Sequence, residues 1–278
     1  CSNSSQTSNQ LEVSTQANSN IVGGVLAEET FQKQNGIVSL ILLSTETKYI
    51  KPDGSVDPYA PFSVGICTGT LIDKKVVLTA AHCVYAMDPN MALVAINVSF
   101  KLDIQKDLAA FNFNDGIFAD GVLPHADFLK GFTENTPLDG LSWNDVALVR
   151  LNKEAPVDFQ FAKLATDADL AQITTSSLAT LAGFGTSTAI VNKLVIDPIT
   201  KKPTIEPIPE KVPSAGILRQ VDNMSVVGLI ADSGKDIIFN QSNSTGSCHG
   251  DSGGPAFIKQ TDGTYLQIGL TSRVTDKI

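Results

Sequence analysis

Gly250-Asp251-Ser252-Gly253-Gly254-Pro255 surrounds a single hydroxyl with very little side chain to pack. Three glycines and a proline about Ser252 point to a tight turn whose backbone conformation is itself the product. Such a turn presents the serine hydroxyl and aims nearby backbone N–H groups at one spot. A serine hydroxyl is a poor nucleophile at physiological pH, so it needs an adjacent base, and the base needs an orienting group. Histidine is the natural base near neutrality, and a buried carboxylate holds its tautomer and stabilises the imidazolium. The chemistry on offer is acyl transfer.

Three histidines are available: His82, His125 and His249. His82 ends the apolar run Leu78-Thr79-Ala80-Ala81-His82-Cys83. His249 sits too near Ser252 in the chain to be comfortably placed as its base. His125, in Pro124-His125-Ala126-Asp127, reads as a surface residue of a polar loop. An aspartate opens a further apolar run in Asn144-Asp145-Val146-Ala147-Leu148-Val149. Alone, a histidine beside a strand is more often structural than catalytic, and an aspartate at a strand entrance usually caps a turn. Only the combination carries weight.

The elements that must position these residues are short. Apolar runs rich in Val, Ile, Leu and Thr recur at Ile37–Leu43, Gly69–Ile72, Val76–Thr79, Val94–Phe100, Val146–Leu151, Leu178–Phe184 and Gln267–Thr271, which predicts strands. Gly and Pro punctuate them, as in Pro52-Asp53-Gly54 and Asp262-Gly263. Helical periodicity is scarce, and Thr166–Thr174 can hold one short helix. An all-β barrel or sandwich follows. Five prolines between Asp197 and Pro213 predict an irregular surface loop.

Composition excludes several function classes. Hydrophobic residues make up 42% and charged residues 18%, so most of the chain should fold. A net charge of -9 without a Lys/Arg cluster argues against nucleic-acid partners. No apolar run approaches the roughly 18–20 residues that span a bilayer. Residues 1–20, mostly Ser, Asn, Gln and Thr, bury too little to offset their ordering entropy and are expected to be disordered. The four cysteines, Cys1, Cys67, Cys83 and Cys248, lack the C-x-x-C spacing of a zinc site, so disulfides are the better reading and no metal or cofactor is implied. Three pairings are open. A Cys67–Cys83 bond would close a short loop, contributing roughly 3 kcal/mol, and would belong in an oxidising compartment. Cys1 followed by a polar tether resembles the lipidated start of a mature bacterial lipoprotein, which would place the chain at the bacterial cell envelope, or secreted if unanchored.

The runs Ile21-Val22-Gly23-Gly24, Thr79-Ala80-Ala81-His82-Cys83, Asn144-Asp145-Val146-Ala147-Leu148 and Gly250-Asp251-Ser252-Gly253-Gly254-Pro255 resemble the chymotrypsin/trypsin-like serine peptidase family, in its order of base, acid and nucleophile. Gly183-Phe184-Gly185-Thr186 and Leu218-Arg219-Gln220-Val221 are similar too, and the resemblance spans residues 21–274. It implies two six-stranded antiparallel β-barrels, over residues 21–158 and 159–278, behind a tether or pro-segment of residues 1–20. It implies a serine endopeptidase acting on proteins and peptides as a monomer. Ser252 would be nucleophile, His82 base and Asp145 orienting acid, with the N–H groups of Gly250 and Ser252 as oxyanion hole. Cys67 and Cys83 match the disulfide beside the family's histidine. Cleavage before Ile21 would free an α-amino group to pair with Asp251, whether by an activating protease or by the enzyme itself.

Three departures qualify the resemblance. Asn20 precedes Ile21 where many members carry Arg or Lys, so the activating protease should not be trypsin-like. Gly246 occupies the pocket position where an Asp would select Arg or Lys, and Ser272-Arg273-Val274 resembles the pocket wall, with Val274 narrowing it toward small aliphatic residues. The chain stops at Ile278, before the family's last elements, so the second barrel is expected to be incomplete and the usual partner of Cys248 to lie beyond; a free Cys248 or a bond to Cys1 is the alternative. The rival function is a catalytically silent homologue used for binding or adhesion.

Overall fold

The computed structural model describes residues 24–85, 88–128, 144–186, 192–196, 203–207, 215–230, 236–241 and 245–273. Among them strands dominate. β1 (Val25–Leu26) leads into helix α1 (Glu29–Gln34), followed by β2 (Ile37–Glu46), β3 (Ser63–Asp73), β4 (Val76–Thr79), helix α2 (Ala81–Val84), β5 (Met91–Ser99), helix α3 (Gln105–Ala110), β6 (Ile117–Pro124) and β7 (Ala147–Leu151). Then come helix α4 (Asp167–Leu170), β8 (Leu178–Gly183), β9 (Asn192–Ile196), β10 (Pro203–Pro207), β11 (Arg219–Ile230), β12 (Asp236–Phe239), β13 (Pro255–Lys259) and β14 (Tyr265–Leu270).

Six antiparallel strands close a barrel in the order β2-β3-β4-β7-β6-β5. The mostly apolar run of β2 pairs with β3 from Ile37↔Thr70 to Ser44↔Ser63 and with β5 on its other side. Val38, Leu40, Leu71, Val77, Val98 and Val149 are fully buried inside. Fully burying such a side chain contributes about 1.5–3 kcal/mol. The second half is a six-stranded sheet, β1-β11-β8-β13-β14 with β12 on β11. Leu181, Val221, Met224, Ala256 and Ile268 form one of its cores. A second cluster, Phe31, Ile37, Ala182, Phe184, Leu218 and Phe257, ties α1 and the start of β2 to this sheet. The Phe31 ring meets Phe257 and Tyr265 edge-on, at 6.2 and 5.1 Å.

The expected helix at Thr166–Thr174 is the single turn α4. Thr166 caps it by accepting from Asp169 N–H, while the Asp169 carboxylate accepts from Thr166 N–H at 2.8 Å. One expectation is corrected. The proline-rich segment 197–213 is not wholly irregular, because β10 within it pairs with β9 from Pro203↔Ile196 to Pro207↔Asn192. Prolines at the two ends of an edge strand leave its inner residues free to pair. Among the described residues no helix is long and apolar enough to cross a membrane.

Candidate active site

Pairing of β4 with β7, down to Thr79↔Ala147, brings the end of one strand beside the start of the other. His82 follows β4 on the short helix α2, and Asp145 sits two residues before β7. Asn144 adopts a left-handed conformation (φ 46°), which asparagine tolerates better than most residues, and turns Asp145 inward. The buried, small Ala80 and Ala81 let the histidine lie close to the barrel wall.

Asp145 holds His82 at two points. Its Oδ2 lies 2.7 Å from His82 Nδ1, and its Oδ1 accepts the His82 backbone N–H at 2.9 Å. The Ser272 hydroxyl donates to Oδ2 at 2.6 Å. The Asp145 side chain is 4% exposed and that of His82 28%. Burial alone would raise the Asp145 carboxyl above its usual value; the bonds from His82 and Ser272 outweigh it and hold it lower. Asp145 therefore stays ionised to lower pH than an ordinary aspartate.

Ser252 is carried to the same place by bonds that do not use its own side chain. Its carbonyl accepts from Thr68 N–H at 2.8 Å and lies 3.7 Å from Cys83 Sγ, so the serine turn rests on the residue following His82. Asp251 N–H bonds to Cys248 O, Gly254 N–H to Asp251 O, and Gly253 N–H to Thr271 O. Gly250 and Gly253 take φ of +96° and +79°. Neither the Gly250 nor the Ser252 N–H donates a hydrogen bond to another described residue. No hydrogen bond joins the Ser252 hydroxyl to His82 among the described residues, a separation common before substrate binds.

Glycine is required at 253. A Cβ there would fall on Thr79 Oγ1 and the Thr68 carbonyl, and 2.8 Å from Ala80 N. Gly253→Ala is therefore expected to destabilise the chain by roughly 3 kcal/mol or more. Gly263 also has positive φ (+85°), but nothing lies within 4 Å of its Cβ position. Gly263→Ala should cost only about 1–2 kcal/mol. Denaturant midpoints of the two variants measure the difference, and equal midpoints would contradict it.

Asp251 is 1% exposed. Its Oδ1 accepts from Gly185 N–H and its Oδ2 from Cys248 N–H, both at 2.8 Å. Burial, only partly offset by these bonds and the Arg219 charge, pushes its carboxyl up to about 7. Ile21, expected to pair with it, lies outside the described residues, as do Val274 and Cys1. Cys67 and Cys83 form a disulfide. Cys248 is also disulfide-bonded, to a partner outside the described residues. His125 and His249 are exposed.

Gly246 is buried with φ of +142°. The Gln241 side chain packs directly against it, with Cγ 2.6 Å from where a Cβ would stand, so an uncharged amide occupies that position. Arg273, next to Ser272, pairs with Asp236 at 3.0 Å. An open pocket of about 340 Å³ lies beside His82 and Cys83, with Leu42, Val64, Tyr85 and Leu93 among its walls. Thr68 and Gln241 went unread in the sequence. The Thr68 hydroxyl donates to Gly250 O at 2.9 Å and accepts from Phe184 N–H at 3.0 Å, fastening the serine turn to both halves. Neither residue stands in a motif.

A histidine clamped by a buried carboxylate beside a glycine-rich serine turn, where a closed antiparallel barrel meets a second antiparallel sheet, defines the class as a serine-peptidase fold. The chain belongs to the trypsin family, whose model matches residues 51–277. Over 216 residues it is 26% identical to serine protease filzig of Drosophila melanogaster, an alignment covering 76% of this chain and 11% of that protein. The chain thus spans about a tenth of that relative's length. The solved structure of HL collagenase superposes with a TM-score of 0.58 at 21% identity, covering 92% of this chain and 87% of that one. That likeness establishes the shared fold.

Proposed function

We propose that this chain is an endopeptidase that hydrolyses peptide bonds through an acyl-enzyme on Ser252, with His82 as general base and Asp145 as its orienting acid. The carrying observation is the double hold of Asp145 on His82, at ring Nδ1 and backbone N–H. With its Nδ1–H donating a hydrogen bond to Asp145, neutral His82 keeps an unprotonated Nε2. Nε2 takes the hydroxyl proton as Ser252 Oγ bonds to the scissile carbonyl carbon. The carbonyl electron pair moves to oxygen, where the N–H groups of Gly250 and Ser252 receive it. Collapse restores the carbonyl and breaks the C–N bond, and Nε2 hands its proton to the leaving amine. Water then repeats the sequence, releasing the acid and Ser252.

Activation by cleavage between Asn20 and Ile21 belongs to the same reading. A rise in the Asp251 carboxyl from 3.8 to about 7 corresponds to roughly 4 kcal/mol of disfavour for its ionised form. An Ile21 ammonium would relieve it, and residues 1–20 would be the pro-segment. The disulfides support export to an oxidising compartment. A lipid anchor on Cys1 is an alternative to a Cys1–Cys248 bond, because a thioether leaves no thiol to cross-link. A silent binding homologue is disfavoured by the presence of His82, Asp145, Ser252 and Gly250 together.

Incubating the processed full-length chain with an unfolded protein and sequencing the fragments tests the reading. Internal cuts without preference for Lys or Arg are expected, since Gln241 presents no charge at Gly246. Terminal trimming or no cleavage would contradict the endopeptidase; strong Lys or Arg preference would contradict the pocket.

A further inference from the structure

Arg219 and Asp251 are oppositely charged, 5% and 1% exposed, and the peptidase mechanism leaves them unconnected. Arg219 opens β11 and pairs with Gly183, the last residue of β8. Directly opposed residues of an antiparallel pair project from the same face, about 5 Å apart. At Gly183 that face is filled by Asp251: a Cβ on Gly183 would strike the Asp251 carboxylate, and one on Gly185 would lie 2.6 Å from its Cγ. The Arg219 side chain therefore leaves the sheet on the side of the chamber that holds the carboxylate. It donates to the Ile217 carbonyl at 3.2 Å. Its charge acts on Asp251, and it feels the exposed Asp103, bridged to Ile217, more strongly than Asp251.

We propose that Arg219 is a built-in counter-charge for Asp251, giving the uncleaved chain part of the activity that cleavage before Ile21 completes. The proposal rests on the peptidase reading above. An ionised carboxylate buried without a cation is costly. The cleavage supplies one cation as an ammonium. Arg219 supplies another through space, before and after cleavage alike, and a guanidinium does not lose its charge by deprotonating. Arg219 touches no substrate and acts by holding the turn from Gly250 to Ser252 in place; it is a positioning residue.

The test uses the full-length chain in two forms, intact and cut by a specific protease whose site is placed just before Ile21, with a peptide substrate. The intact wild type should show slow but measurable turnover. Arg219→Gln should lower kcat of the intact form about tenfold or more with KM little changed, lower the cut form less than about threefold, and be largely rescued by Arg219→Lys. An intact wild type without turnover beside an active cut form would overturn the proposal. So would Arg219→Gln lowering both forms by the same factor, which marks a structural role. An inactive cut wild type would instead sink the peptidase reading itself.

Discussion

Ser252→Ala lowers turnover of the processed chain by about 10⁵–10⁶-fold while leaving its unfolding midpoint unchanged. The first part follows from the proposed role of Ser252 Oγ as the atom that forms the acyl bond. The second follows from how the turn is held. Each bond that fixes it, from Thr68 N–H to Ser252 O and from Gly253 N–H to Thr271 O, is made by backbone or by another residue's side chain. Alanine keeps the Cβ and every one of these bonds. The remaining rate would come from the two oxyanion N–H groups and substrate binding. Steady-state kinetics beside a denaturation curve measures both. Unchanged turnover would show that Ser252 is not the nucleophile.

Asp145→Asn should cost about 10⁴-fold in kcat, as it does in trypsin-like enzymes. The geometry here gives the reason. Oδ1 must go on accepting the His82 backbone N–H, so the asparagine oxygen takes that place. The NH₂ group then faces His82 Nδ1, where Oδ2 stood, and donates to it. The ring proton moves to Nε2, the atom that should receive the Ser252 proton. Ser272, which donates to Oδ2, loses its acceptor as well. A fall in kcat of less than tenfold would show that the Asp145 bond does not set the tautomer of His82.

The parts of the fold visible in the sequence are those whose residue types have few alternatives. β4 reads residue for residue from Val76 to Thr79, because four apolar or β-branched residues stand between a lysine pair and a helix. β2 starts at Ile37 as read but runs three residues past Leu43, through Ser44, Thr45 and Glu46. β11 was hidden because Asp222-Asn223 interrupts it; Asn223 takes a φ of 61° at a register shift between Val221 and Met224. β6 was hidden by Gly121 and Pro124 and by having no fully buried side chain along it. Helix α1 is too short for periodicity to reveal, and its burial of Phe31 depends on partners more than 200 residues away.

The site divides in the same way. His82, Asp145 and Ser252 were legible as candidates because the proposed chemistry demands those types. Thr68 was not, since a buried threonine in a strand looks like any β-former until its hydroxyl is found on Gly250 O. Gln241 and Arg219 matter through what they lie against, Gly246 and Gly183, which only the folded chain brings together.

A fluorophosphonate probe tests the central claim most directly, because Ser252 Oγ would displace fluoride and keep the phosphonyl group. On the processed full-length chain the account predicts close to one adduct per molecule, on the peptide containing Ser252, and none in Ser252→Ala. No adduct on the processed chain, or one that persists in Ser252→Ala, would contradict it.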